Sequence, residues 1–220
     1  MNFYDGTNQN IDCCNLEKDL GITFDPNLSF DPHIQKSINK ANSTIGLIKR
    51  TFTHIDKEVF LQLYKALVRP HLEYGNIIWY PYLKRQSVAI EKVQRRATKL
   101  VKGCREMKYY ERLSYLKLHS LKGRRLRGDL IETFKIFTGK LDLEWDSFFS
   151  SPTLNSTRNT NGKIFINRSN TNQRKHFYSN RVASTWNNLP LNTKHAQTTN
   201  HFKNYIDMCP KLKEKFIEYD

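Results

Sequence analysis

The sequence predicts a mainly α fold: a short N-terminal β-hairpin, a helical bundle and a smaller helix-rich C-terminal lobe. Three observations carry that expectation. Apolar residues recur every three or four positions through most of residues 31–139, the spacing that places them on one face of a helix. Strand-type alternation is concentrated in the first 25 residues. The 220 residues are 38% hydrophobic and 12% aromatic, enough for a real core and too many for a disordered chain.

Residues 1–25 form the hairpin unit, with a turn at Asp5-Gly6 and a strand in which Leu20, Ile22 and Phe24 alternate. Asp31-Pro32 then supplies an N-cap and a first-turn proline. Ile34, Ile38, Ala41, Ile45 and Ile48 mark one face of the helix that follows, through Arg50. A second helix starts near Asp56 with Val59, Phe60, Leu63, Tyr64 and Leu67 inward, and Pro70 ends or kinks it. His71 to Tyr82 is apolar on nearly all sides and is expected to be a buried central helix closing at Pro81. Its aromatics, Tyr74, Trp79, Tyr80 and Tyr82, are expected in the core, with base stacking the lesser alternative.

From Lys84 to Lys102 the helical geometry separates two faces. Ile90, Val93, Ala97 and Leu100 form an apolar sector, and Arg85, Lys92, Arg96 and Lys99 form a basic row about a third of a turn away. Tyr109 to Leu121 has helical spacing at Leu113, Leu116 and Leu121. Next come Arg124, Arg125 and Arg127, then an apolar face of Leu130, Ile131, Phe134 and Phe137. Gly123 and Gly128 weaken that helix's first turns, so the arginines are expected at a start or bend, with Asp129 helping electrostatically. The bundle thus covers residues 26–139. Residues 140–175, rich in Ser, Asn, Thr and Gly, read as a linker with one short strand at Lys163 to Asn167. Residues 176–220 form the C-terminal lobe, two helices terminated by Pro190 and Pro210.

Charge is the strongest functional clue. The formal net charge is +15. Between Lys84 and Arg127 there are fifteen Lys or Arg against three Glu, so most of the excess sits in a fifth of the chain. Such clustering points to a polyanionic partner, nucleic acid before an anionic membrane, with a merely solvated helical face as the plainer alternative. Enzyme motifs are missing from the sequence: no Asp-Asp pair for two-metal phosphoryl transfer, no GxxxxGK[ST] loop, no HExxH, no GxSxG. No catalytic residue, metal ligand or cofactor is therefore assigned. The cysteines, Cys13, Cys14, Cys104 and Cys209, lack zinc spacing and read as reduced thiols. Without a signal-like N-terminus or a spanning apolar run, the chain is expected to be intracellular, nuclear or cytoplasmic, with no membrane partner.

A series of short motifs adds a family resemblance. They are Lys18-Asp19-Leu20-Gly21-Ile22, Leu28 to His33, Leu63-Tyr64-Lys65, Val68-Arg69-Pro70 and Leu72-Glu73-Tyr74. Trp79, Pro81, Val93-Gln94-Arg95-Arg96, Thr98-Lys99, Tyr110-Glu111-Arg112-Leu113, Leu121, Arg124-Arg125 and Asp129-Leu130 follow. The series ends in Phe177, Arg181, Trp186-Asn187, Leu189-Pro190 and Phe202-Lys203. Their order over some 185 residues resembles the C-terminal part of a non-LTR retrotransposon reverse transcriptase of the jockey and chicken-repeat kind.

The resemblance implies that the hairpin is primer-grip-like at Leu20, Gly21 and Ile22, and that the bundle is thumb-like. It also implies a template-primer partner, an RNA–DNA hybrid held by phosphates and 2′-hydroxyls. Together with the charge pattern it nominates Arg85, Lys92, Arg95, Arg96, Lys99, Lys102, Arg112, Arg124, Arg125 and Arg127 as contacts. The palm that would hold Mg²⁺ is not in this sequence, so the chain is expected to bind without extending a primer, as a fragment of a longer frame or a truncated element copy. A palm-containing polypeptide is the implied protein partner. A domesticated protein-interaction module, or a non-functional remnant, is the alternative.

Overall fold

The computed structural model describes residues 14–150 and 162–217. Two antiparallel strands, β1 (Glu17–Asp19) and β2 (Ile22–Phe24), pair Glu17 with Phe24, Lys18 with Thr23 and Asp19 with Ile22. A two-residue turn joins them, with Leu20 at φ 44° and Gly21 at φ 83°. Both positive φ values are what a tight hairpin of this twist requires. A short N-terminal hairpin is therefore present, but Leu20, expected in a strand with Ile22 and Phe24, occupies its turn instead; Asp5-Gly6 lies outside the described residues.

Twelve helices follow among the described residues, and the fold is mainly α. The first, α1 (Asp31–Thr51), buries Ile34, Ile38, Ala41, Ile45 and Ile48 as their spacing predicts. Its start differs from expectation. Asp31 lies inside the first turn, and the preceding Phe30 sits at φ 57° without a side-chain cap. Asp25 does the organising, its carboxylate accepting from the backbone N–H groups of Ser29 (3.1 Å) and Phe30 (2.7 Å). Burial pushes the Asp25 pKa up, but these bonds to the charged form prevail and hold it below the ordinary value.

Helix α2 (Lys57–Leu63) is capped by Asp56, which accepts from Val59 N–H at 2.8 Å. A π-helical turn (Tyr64–Val68) continues it into α3 (Arg69–Glu73). Pro70 explains the turn, because it has no N–H to donate and its ring would meet the preceding carbonyl of a regular helix. The chain loosens by one residue, and Arg69 N–H reaches Tyr64 O instead.

The expected central helix from His71 to Tyr82 does not form. Helix α3 stops at Glu73, and Gly75 turns the chain at φ 64°, where a Cβ would lie 2.7 Å from Ile22 Cδ1. Only glycine permits that approach. Trp79 alone of the aromatic run is core, its indole N–H donating to Tyr74 O at 2.6 Å; Tyr74 is 61% exposed, and Tyr80 and Tyr82 are half-buried.

Helix α4 (Lys84–Thr98) packs on α1, and α5 (Tyr109–Leu116) packs on α4. The run to Leu121 is two elements, not one: α5 ends at Lys117, φ 51°, and Ser120 caps α6 (Leu121–Phe137) by accepting from Gly123 N–H at 3.0 Å. Gly123 does not mark a bend. A Cβ there would fall 2.3 Å from Phe216 O, so its absence lets two backbones touch.

The stretch read as a linker carries α7 (Trp145–Phe148) and α8 (Asn172–His176), and it places Phe149 and Ile164 in a core. Lys163 to Asn167 is not a strand. The backbone of Ile164 pairs with a side chain instead: N–H to Asn187 Oδ1 and O from Asn187 Nδ2, both 2.8 Å. Helices α9 (Tyr178–Asn187), α10 (Leu191–Lys194) and α11 (Thr199–Met208) follow. Pro210 ends α11 but also opens α12 (Pro210–Ile217), whose Leu212 and Phe216 are buried.

Two hydrophobic clusters result. One joins β2, α1, α2, the π turn, α4 and α5 around Trp79, Leu72 and Leu113. The other gathers Leu130, Phe134 and Ile136 of α6 with Trp186, Phe202 and Phe216 from the C-terminal helices. Helix α6 contributes Leu121 to the first and its second half to the second. No helix among the described residues is long and apolar enough to cross a membrane.

Candidate nucleic-acid interface

Helix α4 is flanked by α1 on one side and by α5 and α6 on the other, so its buried sector is wide. Beyond Ile90, Val93 and Ala97 it includes Gln86, Ser87, Glu91, Gln94 and Thr98. What remains outside is the basic row. Arg85, Lys92, Arg96 and Lys99 are exposed, and Lys102 lies just past the helix end, also exposed.

Two contacts fix how the row sits against α1. Arg85 pairs with Asp31, and Arg96 Nη1 donates to Asn42 Oδ1 at 3.2 Å. The partners are eleven residues apart on each helix, about three turns, so α1 and α4 run parallel and in step. Between them the row spans about 21 Å from Arg85 to Lys99 at 1.5 Å per residue. The Arg85–Asp31 pair is open to solvent and worth at most about 1 kcal/mol, so an incoming phosphate can compete for it. Lys92, Lys99 and Lys102 have no ion-pair partner among the described residues. Near its C-terminal end α1 adds the exposed Lys49 and Arg50, whereas its Lys36 and Lys40 point to the flank away from α4; the only acid on α1 is Asp31.

Arg95 is different. Its guanidinium lies over the Tyr109 ring, 4.8 Å from the centroid, half-buried between α4 and α5.

Of the remaining four nominated arginines, Arg112 and Arg125 are buried, and the half-buried Arg124 and Arg127 are engaged by carboxylates of other helices, so none is a free cation of the exposed row. Arg112 is buried, with Nε donating to Thr98 Oγ1 at 3.0 Å and Nη1 to Met107 O. Arg124 forks onto Glu73 of α3. Arg127 forks onto Asp207 of α11 with two bonds of 2.7 Å. Arg125 is 2% exposed and donates from Nη2 to Ser87 Oγ at 3.1 Å. Burial pulls its pKa down, against the pull of Tyr80, Glu91, Glu73 and Asp129. Residues this deep cannot reach a phosphate, and the forked pairs already use the geometry that would bind one. Sequence spacing could not separate α6 from α4 here, because both carry Arg clusters beside apolar faces.

The hairpin residues divide similarly. Ile22 is buried under the Gly75 turn, whereas Leu20 is 80% exposed at the tip, its carbonyl accepting from Tyr74 O–H at 2.9 Å. A branched residue in the left-handed region costs about 1 kcal/mol and gains nothing from packing in this position.

No protein-family model, curated protein or solved structure matches this chain. The site is therefore judged on its own chemistry. Its exposed cations offer electrostatic and hydrogen-bond contacts to phosphate oxygens, which position a nucleic acid without reading its sequence. Among the described residues, no three His, Cys, Asp or Glu side chains stand together as a metal site.

Sequence reasoning missed a buried polar network behind the row. Gln94 accepts from Tyr64 O–H and donates to His119 O (3.0 Å) and Tyr109 Oη (2.9 Å). Glu91 accepts from Tyr109 O–H and from Leu121 N–H (2.9 Å), anchoring the start of α6. Burial raises the Glu91 pKa, with Tyr109, Arg125, Leu121 and Arg95 opposing. A signal existed for Gln94, which lies about 40° from Ile90 by helical angle; Glu91, about 100° from Ile90, is buried only because α5 and α6 pack on that side.

Proposed function

We propose that this chain acts as the nucleic-acid-holding, C-terminal region of a retrotransposon-type reverse transcriptase, binding RNA and DNA, above all an RNA–DNA hybrid, without joining nucleotides itself. The observation that carries the reading is the exposed row of Arg85, Lys92, Arg96 and Lys99 on α4, in which Arg85 alone has an ion-pair partner, Asp31, among the described residues. A shape-reading contact of this kind suits the wide, shallow minor groove of an A-like hybrid. An intracellular location, nuclear or cytoplasmic, follows from the reading. The polymerase chemistry would reside in a palm supplied elsewhere.

The test is the salt dependence of hybrid binding. Replacing Lys92, Arg96 and Lys99 together by Gln should flatten the log–log slope by up to about three, one for each phosphate that the variant no longer neutralises. An unchanged slope removes this face from the function.

One observation favours a second reading, a protein-interaction module. An apolar cleft of about 660 Å³ lies between Phe24, Phe30, Ile78, Tyr80, Phe148 and Phe177. A partner captured equally well after nuclease treatment, by wild type but not by Ile78→Asp, would favour that reading.

A further inference from the structure

On the flank of α1 away from α4, the hairpin, α1 and α3 enclose a cleft of about 310 Å³. Lys18, His33, Lys36, Ser37, Lys40 and His71 face it, and among the described residues no carboxylate lines it. Four of these, His33, Lys36, Ser37 and Lys40, follow the spacing of one helical face. At 100° per residue that face lies about half a turn from Asp31 and Asn42, which meet α4. The cleft is thus a separate feature from the α4 row.

His33 gives the cleft a fixed donor. It is 5% exposed, and its Nδ1 accepts from Thr23 N–H at 3.2 Å, so the neutral ring carries its proton on Nε2. That N–H has no protein acceptor among the described residues, and the ring lines the cleft. Burial, then Lys36 and Lys40, lower the His33 pKa, keeping the ring a neutral donor. The opposite wall is Tyr74, which lies across the hairpin turn beside Gly21 and donates its O–H to Leu20 O at 2.9 Å.

We propose that this cleft is a phosphate-group site, with Lys18, Lys36 and Lys40 supplying charge and His33 Nε2–H and Ser37 Oγ supplying directed hydrogen bonds. Strongly hydrated point charges around an oriented donor suit a compact oxyanion. The phosphate is either free or part of a nucleic acid, and the assay separates the two.

Inorganic phosphate, titrated into the full chain at constant ionic strength, should shift the His33 imidazole ¹⁵N resonances saturably, with a Kd on the order of 1 mM. Chloride should not reproduce the shift. Lys36→Ala/Lys40→Ala should weaken binding about tenfold, since charged hydrogen bonds are the strong ones, and Ser37→Ala should weaken it less. The Lys92, Arg96 and Lys99 replacement should leave it unchanged, so this site stands or falls apart from the α4 row. A linear, chloride-like response, or saturation untouched by the double variant, overturns the assignment. Displacement of phosphate by an oligonucleotide bearing a 5′-phosphate but not by its 5′-hydroxyl twin assigns a strand end. Equal displacement by both assigns an internal phosphodiester, and displacement by neither assigns free phosphate; each of these supports the site.

Discussion

Leu20 occupies the left-handed region with its side chain in water, a position where asparagine is at ease. Leu20→Asn should therefore raise stability by up to about 1 kcal/mol in urea melts, by removing the steric cost. A loss of stability would mean that the leucine packs in solution. Glu91 makes a second residue-level prediction, with a definite sign. Burial raises its folded pKa above the ordinary 4.5, so the folded chain keeps a proton that the unfolded chain has released. Its contribution is full below pH 4.5 and is lost as pH rises through the raised value. The stability difference between wild type and Glu91→Gln should thus be most favourable to wild type at low pH and decline above 4.5. Urea melts at several pH values would expose a flat or rising difference, which would contradict the burial argument. Neither behaviour is legible in sequence, where Glu91 is simply an acid in a basic helix.

At the scale of elements, α6 is the surprise. Its sequence reads as a basic start followed by an apolar face, and its arginines look like phosphate ligands. In the fold they are struts: Arg124 to α3 and Arg127 to α11. The neighbouring Asp129 accepts two bonds, 2.8 and 2.9 Å, from Arg181 of α9, with both side chains under a tenth exposed. Arg181 also donates to Ile77 O at 3.0 Å and lies over the Tyr80 ring, holding the irregular 74–83 segment. Removing one member strands a buried charge, so Asp129→Ala should cost about 3–5 kcal/mol. A double-mutant cycle with Arg181→Met should recover part of that loss. Additive losses would show that the pair is not coupled. Helices α1 and α4 were legible because their apolar periods are long and regular. Pro70 signalled a break but not whether the helix would end or bulge into a π turn, and the end of α3 was hidden because Gly75 acts through Ile22, which is distant in sequence.

For the whole molecule, the two apolar clusters share α6 and the charged layer beside it, so they should unfold together. Trp79 reports the first cluster and Trp186 the second. In variants keeping one of these with the other tryptophans replaced by Phe, the two urea transitions should superimpose after correction for each variant's own stability. Separated midpoints would mark two independently stable lobes. The cationic surface is also a whole-molecule property, since Lys49 and Arg50 of α1 extend it from outside the Lys84–Arg127 cluster. The cleft of Lys18, Lys36, Lys40, His33 and His71 draws on three elements, and only the α1 spacing hinted at it.

The sequence alone determined the helical class, the presence of a hairpin, the burial face of α1, the apolar seam of α4 and the location of excess positive charge, because each depends on residues within a turn or two of one another. Tertiary structure decided which cations face water. An arginine on the basic side of an isolated helix becomes a phosphate ligand or an internal strut according to whether a carboxylate from a distant helix arrives beside it, and that encounter is set by packing between elements, not by local spacing.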